Sequence, residues 1–236
     1  MSSRNILLAG GTGLVGGLAL RRLLENRRFG GTVFAPLRRG IRLADSRLVT
    51  MQVDFSAAQC DDQLAREIKA HPAHLLGAYV SCLGTTIKVA GSREAFIAID
   101  RDLVLRLGQI AFDLGARHAI LVSSVGASRQ SGNFYLRIKG EVEDALEKIG
   151  FDRLDILQPG LLLGERAQKR PVEALAQLFA PLANRALVGR LARYRMIEAD
   201  TVARAIVRLL RSREPGQFTH QYKSMKALAA EQQTLT

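Results

Sequence analysis

The stretch Asn5-Ile6-Leu7-Leu8-Ala9-Gly10-Gly11-Thr12-Gly13-Leu14-Val15-Gly16-Gly17 runs from an apolar segment through a glycine-rich turn into an amphipathic pattern. Ile6 to Ala9 read as a buried strand, and Leu14, Val15, Leu18, Leu23 and Leu24 recur at helical spacing. Strand, turn and helix are therefore contiguous. A helix that opens on a glycine turn presents unpaired N–H groups and the positive end of its dipole, and glycines let a pyrophosphate approach the backbone. The glycines fit two overlapping spacings, Gly11-x-Gly13-x-x-Gly16 and Gly10-x-x-Gly13-x-x-Gly16. Placed between a strand and a helix at the start of a βα unit, they predict a dinucleotide seat over Gly10, Gly11, Thr12, Gly13, Leu14, Val15 and Gly16. A glycine-rich hairpin would lack the helical pattern that follows.

Working outward, Thr32 to Leu37 reads as a second strand ending at Arg38-Arg39-Gly40. NAD sites place an acidic residue about 20 residues beyond the glycines, to take the ribose hydroxyls. Here the local pair is Arg38 and Arg39, which suits a 2′-phosphate and predicts NADP. Leu48 to Val53 is a third strand ending in Asp54-Phe55, where a carboxylate can accept from the adenine amino group. A helix over Ala57 to Ala70 leads to a fourth strand, Leu75 to Cys82, and a small-residue loop, Leu83-Gly84-Thr85-Thr86. Such a loop suits either close passage of the cofactor ribose along the backbone or a neutral turn.

Ser92 caps a long predicted helix reaching Gly115, with Asp100-Arg101-Asp102 on its exposed face. Ala119 to Val122 is a fifth strand ending at Ser123-Ser124, a helix opens at Asn133 and runs to about Lys148, and Leu154 to Leu157 is a sixth strand. Six alternations predict an α/β doubly wound parallel sheet. Beyond Gly164 the regularity fails: helices are expected over Glu173 to Phe179 and Thr201 to Arg211, the latter capped by Asp200, and a loose tail after Leu228. The chain thus reads as a single domain, residues 1–236, with 160–236 a small, irregular, helical cover on the substrate side.

A length of 236 residues suffices for a sizeable core. No apolar run is long enough to span a bilayer, Met1-Ser2-Ser3-Arg4 leads straight into the first strand, and Cys60 and Cys82 lie far apart. These features predict a cytoplasmic protein with no membrane partner, no disulfide and no metal site, His71 and His74 lying in a plain loop. Lys and Arg number 34 against 22 Asp and Glu, a net charge of +12. The basic residues are scattered without interleaved aromatic platforms, so nucleic acid is not the expected partner.

Tyr135 and Lys139 are four apart on a predicted helix, hence on one face. An ammonium close to a phenol stabilises the phenolate, giving an acid for a carbonyl that accepts hydride and a base for the reverse direction. Ser124, at the end of the preceding strand, can hydrogen-bond the same oxygen. A second pair of this spacing, Tyr222 with Lys226, follows no serine-bearing strand and lies near the chain end.

The glycine turn, Ser123-Ser124, Tyr135-x-x-x-Lys139 and Pro159-Gly160, in this order, resemble the short-chain dehydrogenase/reductase superfamily. More narrowly, Cys82-Leu83-Gly84-Thr85-Thr86, Asp100-Arg101-Asp102, Ser123-Ser124-x-Gly126-Ala127, Asn133-Phe134-Tyr135-Leu136, Lys139-Gly140-Glu141-Val142-Glu143 and Phe151-Asp152-Arg153 resemble its atypical branch of Tat-interacting oxidoreductases and their bacterial relatives. The likeness covers roughly residues 5–170. It implies an NADP-binding Rossmann fold with Ser124, Tyr135 and Lys139 as the catalytic set, Arg38 and Arg39 near the 2′-phosphate, and Cys82, Leu83, Gly84, Thr85, Pro159 and Gly160 along the cofactor. In the superfamily the two helices that cover the sheet often pair between subunits, so the resemblance admits a homodimer and leaves the oligomeric state open. Asp100 stands where many members of the superfamily carry an asparagine, and the serine-to-tyrosine separation is short.

Two functions fit these residues. One is an NADP-dependent oxidoreductase moving hydride between the nicotinamide and a small carbonyl or alcohol. The other is an NADPH-binding sensor acting through protein contacts with little turnover.

Overall fold

The central strands of the sheet are buried on both faces. The computed structural model describes residues 4–164 and 189–231. In chain order the main strands are β1 (Asn5–Ala9), β2 (Val33–Leu37), β3 (Leu48–Gln52), β4 (Leu76–Ser81), β5 (His118–Val122) and β6 (Arg153–Leu157). A two-stranded parallel pair, β7 (Leu162–Leu163) with β8 (Ile197–Glu198), precedes a last strand, β9 (Gly216–His220). The main sheet has seven parallel strands in the order β3-β2-β1-β4-β5-β6-β9.

Alternation along each strand sorts the core into two halves. Ile6, Leu8, Val80 and Ile120 pack with α1 (Leu14–Glu25) and, from the C-terminal third, α7 (Ala199–Leu209) and α8 (Tyr222–Glu231). Leu7, Phe34, Tyr79 and Leu121 pack on the other face with α2 (Cys60–Ala70), α5 (Leu103–Asp113) and α6 (Phe134–Ile149). Two short helices, α3 (Ile87–Ala90) and α4 (Arg93–Ile97), lie between β4 and α5 and are capped by the Thr86 and Ser92 side chains. Pro36, which has no N–H to give a ladder, is accommodated in β2 because pairing with β1 ends at Leu7↔Phe34.

The doubly wound parallel sheet expected from the sequence is present, with several corrections of detail. The sheet has a seventh strand: β9 is short and mostly exposed, so it carries no apolar signature, and β6 alone specifies its place. The helix starting at Ser92 is not continuous to Gly115, because a π-turn at Ala98–Asp102 separates α4 from α5. α2 begins at Cys60 rather than Ala57. Asp200 does not cap α7, whose N-cap is Glu198; it lies in the first turn and pairs with Arg22 of α1, Nε to Oδ1, at 2.6 Å. The expected loose tail does not begin at Leu228, since α8 continues to Glu231, and the remainder of that tail lies outside the described residues. Within residues 160–236, α7 packs with α1 on one face of the sheet and β9 widens the sheet. The helix expected over Glu173 to Phe179 lies outside the described residues. Among the described residues no helix is long and apolar enough to cross a membrane.

Candidate active site at the carboxyl edge of the sheet

The glycine turn closes on itself at the end of β1. Gly10 adopts φ +80°, and the N–H of Gly13 donates to its carbonyl at 2.9 Å. A Cβ on Gly10 would lie 2.7 Å from the Cys82 carbonyl, and one on Gly16 would lie 2.2 Å from the Gly10 oxygen. Those two glycines are thus required by backbone packing, whereas a Cβ on Gly11 would meet side chains at an ordinary 3.7 Å. Gly13 caps α1 with no side-chain hydrogen bond, and the first turn holds no acidic residue. Its leading N–H groups and the positive end of its dipole are left for an anion, which is the fit a dinucleotide pyrophosphate requires.

The other cofactor-side residues gather along the same edge. Arg38 and Arg39 follow β2 and are exposed, and Asp54 and Phe55 follow β3, joined to β2 where the Val53 N–H donates to the Leu37 oxygen at 2.9 Å. The Asp54 carboxylate already accepts from Ser56, 2.6 Å from the hydroxyl and 3.0 Å from the N–H, and these bonds hold it below the usual carboxylate range. Cys82 to Thr85 follow β4, and the Cys82 N–H donates to the Ala9 oxygen at 2.9 Å, at the point where strand order reverses between β1 and β4.

Lys139 is almost fully buried on α6, and its Nζ lies 2.8 Å from Asp100 Oδ1. The second Asp100 oxygen accepts the Thr85 N–H at 2.8 Å, and a Cβ on Gly84 would come within 4.0 Å of Lys139 Nζ. Asp100 therefore does not belong to an exposed helix face. The π-turn, with its extra residue, directs it inward to tie α6 to the loop after β4. Tyr135 is half-buried one turn earlier on α6, its ring centroid 6.0 Å from Lys139 Nζ and 5.9 Å from the Phe96 ring. The helix thus presents Tyr135 and Lys139 together, but the ammonium is matched by Asp100 rather than left to act on the phenol alone. Ser124 is half-buried at the exit of β5 and, among the described residues, forms no hydrogen bond with Tyr135.

Sequence reasoning missed a polar chain beside this site. Glu143 accepts from the Ser123 hydroxyl and from Gln158 Nε2, 3.1 Å to each carboxylate oxygen, and Gln221 donates to Gln158 Oε1 at 3.1 Å. Burial raises the Glu143 carboxyl above its ordinary range, against the pull of those two donors. Gly140 had a signal, being a glycine inside a helix. A Cβ there would lie 2.3 Å from the Ser128 carbonyl carbon, so this residue lets the loop after β5 rest on α6. Pro159 accepts from the Val125 N–H at 2.9 Å, and a Cβ on Gly160 would lie 2.4 Å from the Arg195 oxygen. Lys226 is exposed on α8 beyond half-buried Tyr222, so the second Tyr-x-x-x-Lys pair is an ordered helix surface with no buried ammonium.

A glycine-seated helix start at a strand-order reversal, with a Tyr-x-x-x-Lys helix at the same sheet edge, defines the class of short-chain dehydrogenases and reductases. Relatives narrow it. The mitochondrial protein fmp52 of Emericella nidulans is 35% identical over 176 residues, 75% of this chain and 74% of that one. Protein HTATIP2 of Rattus norvegicus is 32% identical over 179 residues, 76% of this chain and 71% of that one. The chain belongs to the atypical short-chain dehydrogenase/reductase branch that contains HTATIP2 and the fmp52 proteins. No family model matches it.

Solved structures agree on the fold. A UDP-glucose 4-epimerase of Thermotoga maritima superposes with a TM-score of 0.66 at 16% identity, covering 96% of this chain and 82% of that one. Human epimerase family protein SDR39U1, solved with NADPH, gives 0.55 at 17% identity, covering 92% and 74%. The cytoplasmic address expected from composition does not stand, because the fungal relatives are named mitochondrial.

Proposed function

We propose that the chain binds NADP and moves hydride between its nicotinamide and a small carbonyl or alcohol. The observation that carries this is the uncapped start of α1, seated on Gly10 and Gly16, at the same sheet edge as buried Lys139. In this reading the N–H groups of Leu14 to Gly16 bind the pyrophosphate, and Arg38 and Arg39 pair with the 2′-phosphate. Lys139, held by Asp100, donates to ribose hydroxyls, while Ser124 orients the substrate oxygen. The Tyr135 hydroxyl gives that oxygen a proton, or takes one in the reverse direction. The bound coenzyme supplies or accepts the hydride. SDR39U1, of the same fold, was solved with NADPH, in keeping with this cofactor.

Calorimetric titration with NADPH, followed by turnover of a carbonyl panel by the wild type and Tyr135→Phe, tests the reading. Tight binding with activity lost in the variant is the expected result. Absence of binding to either reduced or oxidised coenzyme overturns it. One observation favours a second reading, a sensor that binds NADPH with little turnover: Asp100 neutralises the ammonium beside Tyr135. Tight NADPH binding with no turnover across the panel selects that alternative.

A further inference from the structure

Glu143 sits on α6 one turn beyond Lys139 and two beyond Tyr135, so the three share a helix face. Its carboxylate accepts from the Ser123 hydroxyl at the exit of β5, and from Gln158 Nε2 at the exit of β6, 3.1 Å from each oxygen. Both donors are neutral, while the Lys139 ammonium one turn away is already paired with Asp100. Burial raises the Glu143 carboxyl. A methionine of similar length would fill the same space with no carboxyl to take out of water, so packing gives no reason for an acid here.

The reason lies in what the carboxylate joins. The Ser123 N–H donates to the Leu157 oxygen at 2.8 Å and the Val125 N–H to the Pro159 oxygen at 2.9 Å, so Ser124 is held from both sides against the exit of β6. The Gln158 N–H in turn donates to the His220 oxygen at 2.8 Å, fastening that exit to β9. These backbone bonds lock the strand ends to one another but not to α6. At the Ser123 end, Glu143 makes that link, gathering one side-chain donor from each strand end onto the helix of Tyr135 and Lys139. Arg38, Arg39 and Asp54 follow β2 and β3, on the adenosine side of the glycine turn, so the exits of β5 and β6, across the strand-order reversal, fall to the nicotinamide half.

We propose that Glu143 is a positioning residue that sets Ser124 and Pro159-Gly160 against Tyr135 and Lys139, shaping the pocket for the nicotinamide half of the coenzyme. The role rests on the coenzyme site proposed above, and Glu143 acts in it only through Ser123 and Gln158.

The test is calorimetry of the full chain with NADPH and with ADP-ribose 2′-phosphate, which is the coenzyme without its nicotinamide. Glu143→Met keeps the bulk and removes the acceptor. Glu143→Gln keeps a carbonyl for the Ser123 hydroxyl, and the Gln158 and Gln221 amides, joined at 3.1 Å, can turn over to meet its NH2. The methionine variant should bind NADPH about tenfold or more weakly and ADP-ribose 2′-phosphate less than about twofold more weakly, whereas the glutamine variant should stay within about threefold of wild type for both. Ser123→Ala, which removes one donor and leaves α6 intact, should show a smaller loss of the same pattern, and it carries the comparison should the methionine variant not fold. Unchanged NADPH affinity in Glu143→Met, an equal loss for both ligands, or a loss in Glu143→Gln as large as in Glu143→Met overturns the role of Glu143 and leaves the coenzyme site standing. A wild-type chain that binds neither ligand overturns the coenzyme site, and this role with it.

Discussion

The Lys139 ammonium lies 2.8 Å from the Asp100 carboxylate, and neither side chain has meaningful access to water. The pair joins the π-turn to α6, and through the Thr85 N–H it also fixes the loop after β4. A buried pair of this kind contributes modestly as a whole but is costly to halve, because the surviving charge has no solvent to turn to.

Asp100→Ala should therefore lower stability by about 3–5 kcal/mol. Asp100→Ala with Lys139→Met should recover much of that loss. Urea unfolding of the wild type, both single variants and the double variant measures it, and additive losses would show that the two groups do not interact.

Gly16→Ala places a methyl 2.2 Å from the Gly10 oxygen, whereas Gly11→Ala meets only side chains at 3.7 Å and beyond. We expect NADPH affinity to fall at least tenfold in the first variant and to change little in the second, as read by calorimetry.

Arg38→Glu with Arg39→Glu should act on the 2′-phosphate and leave the pyrophosphate seat intact. Charge-assisted hydrogen bonds contribute about 1.5–3 kcal/mol, so NADPH affinity should drop roughly 10- to 100-fold. NADH affinity should hold or improve. Equal losses for both coenzymes would place the arginines away from the phosphate.

Asp155 links three strands. It accepts from His118 Nε2 at 2.6 Å, from His220 Nε2 at 2.7 Å and from Arg153 Nε at 2.6 Å. Burial alone would raise its carboxyl, but the bonds from His118, His220 and Arg153 outweigh it and hold the group well below the usual carboxylate range. A depressed native pKa stabilises the fold above the unfolded value of 3.8, and that contribution is lost as pH falls below it. Acid titration should show wild-type stability falling steeply below about pH 4, with a shallower fall in Asp155→Asn.

Glu143 has the opposite sign. Its native carboxyl is raised above 4.5, so ionising it as pH rises costs stability. Glu143→Gln should remove that loss, and denaturation midpoints at pH 5 and pH 8 should then lie closer together than in the wild type.

Local chemistry made much of this legible. The alternation of apolar runs with helical periodicity carried six of the seven main strands, five of them largely buried. The glycine turn was readable because strand, turn and helix are consecutive, and Tyr135 with Lys139 because a helix puts residues four apart on one face. β9 was not readable: its five residues are mostly exposed, and the open edge of β6 makes them a strand. Asp100 was misplaced because its orientation depends on a π-turn and on the approach of α6, neither of which has a local residue signature.

By itself, then, the sequence determined the class of fold, the glycine turn and the helix that carries Tyr135 and Lys139, all of which arise between neighbours along the chain. Tertiary structure alone decided the Lys139–Asp100 pair and the Asp155 cluster across β5, β6 and β9. Each of these assembles residues from segments far apart in the chain, and only packing decides which charges meet in a place without water.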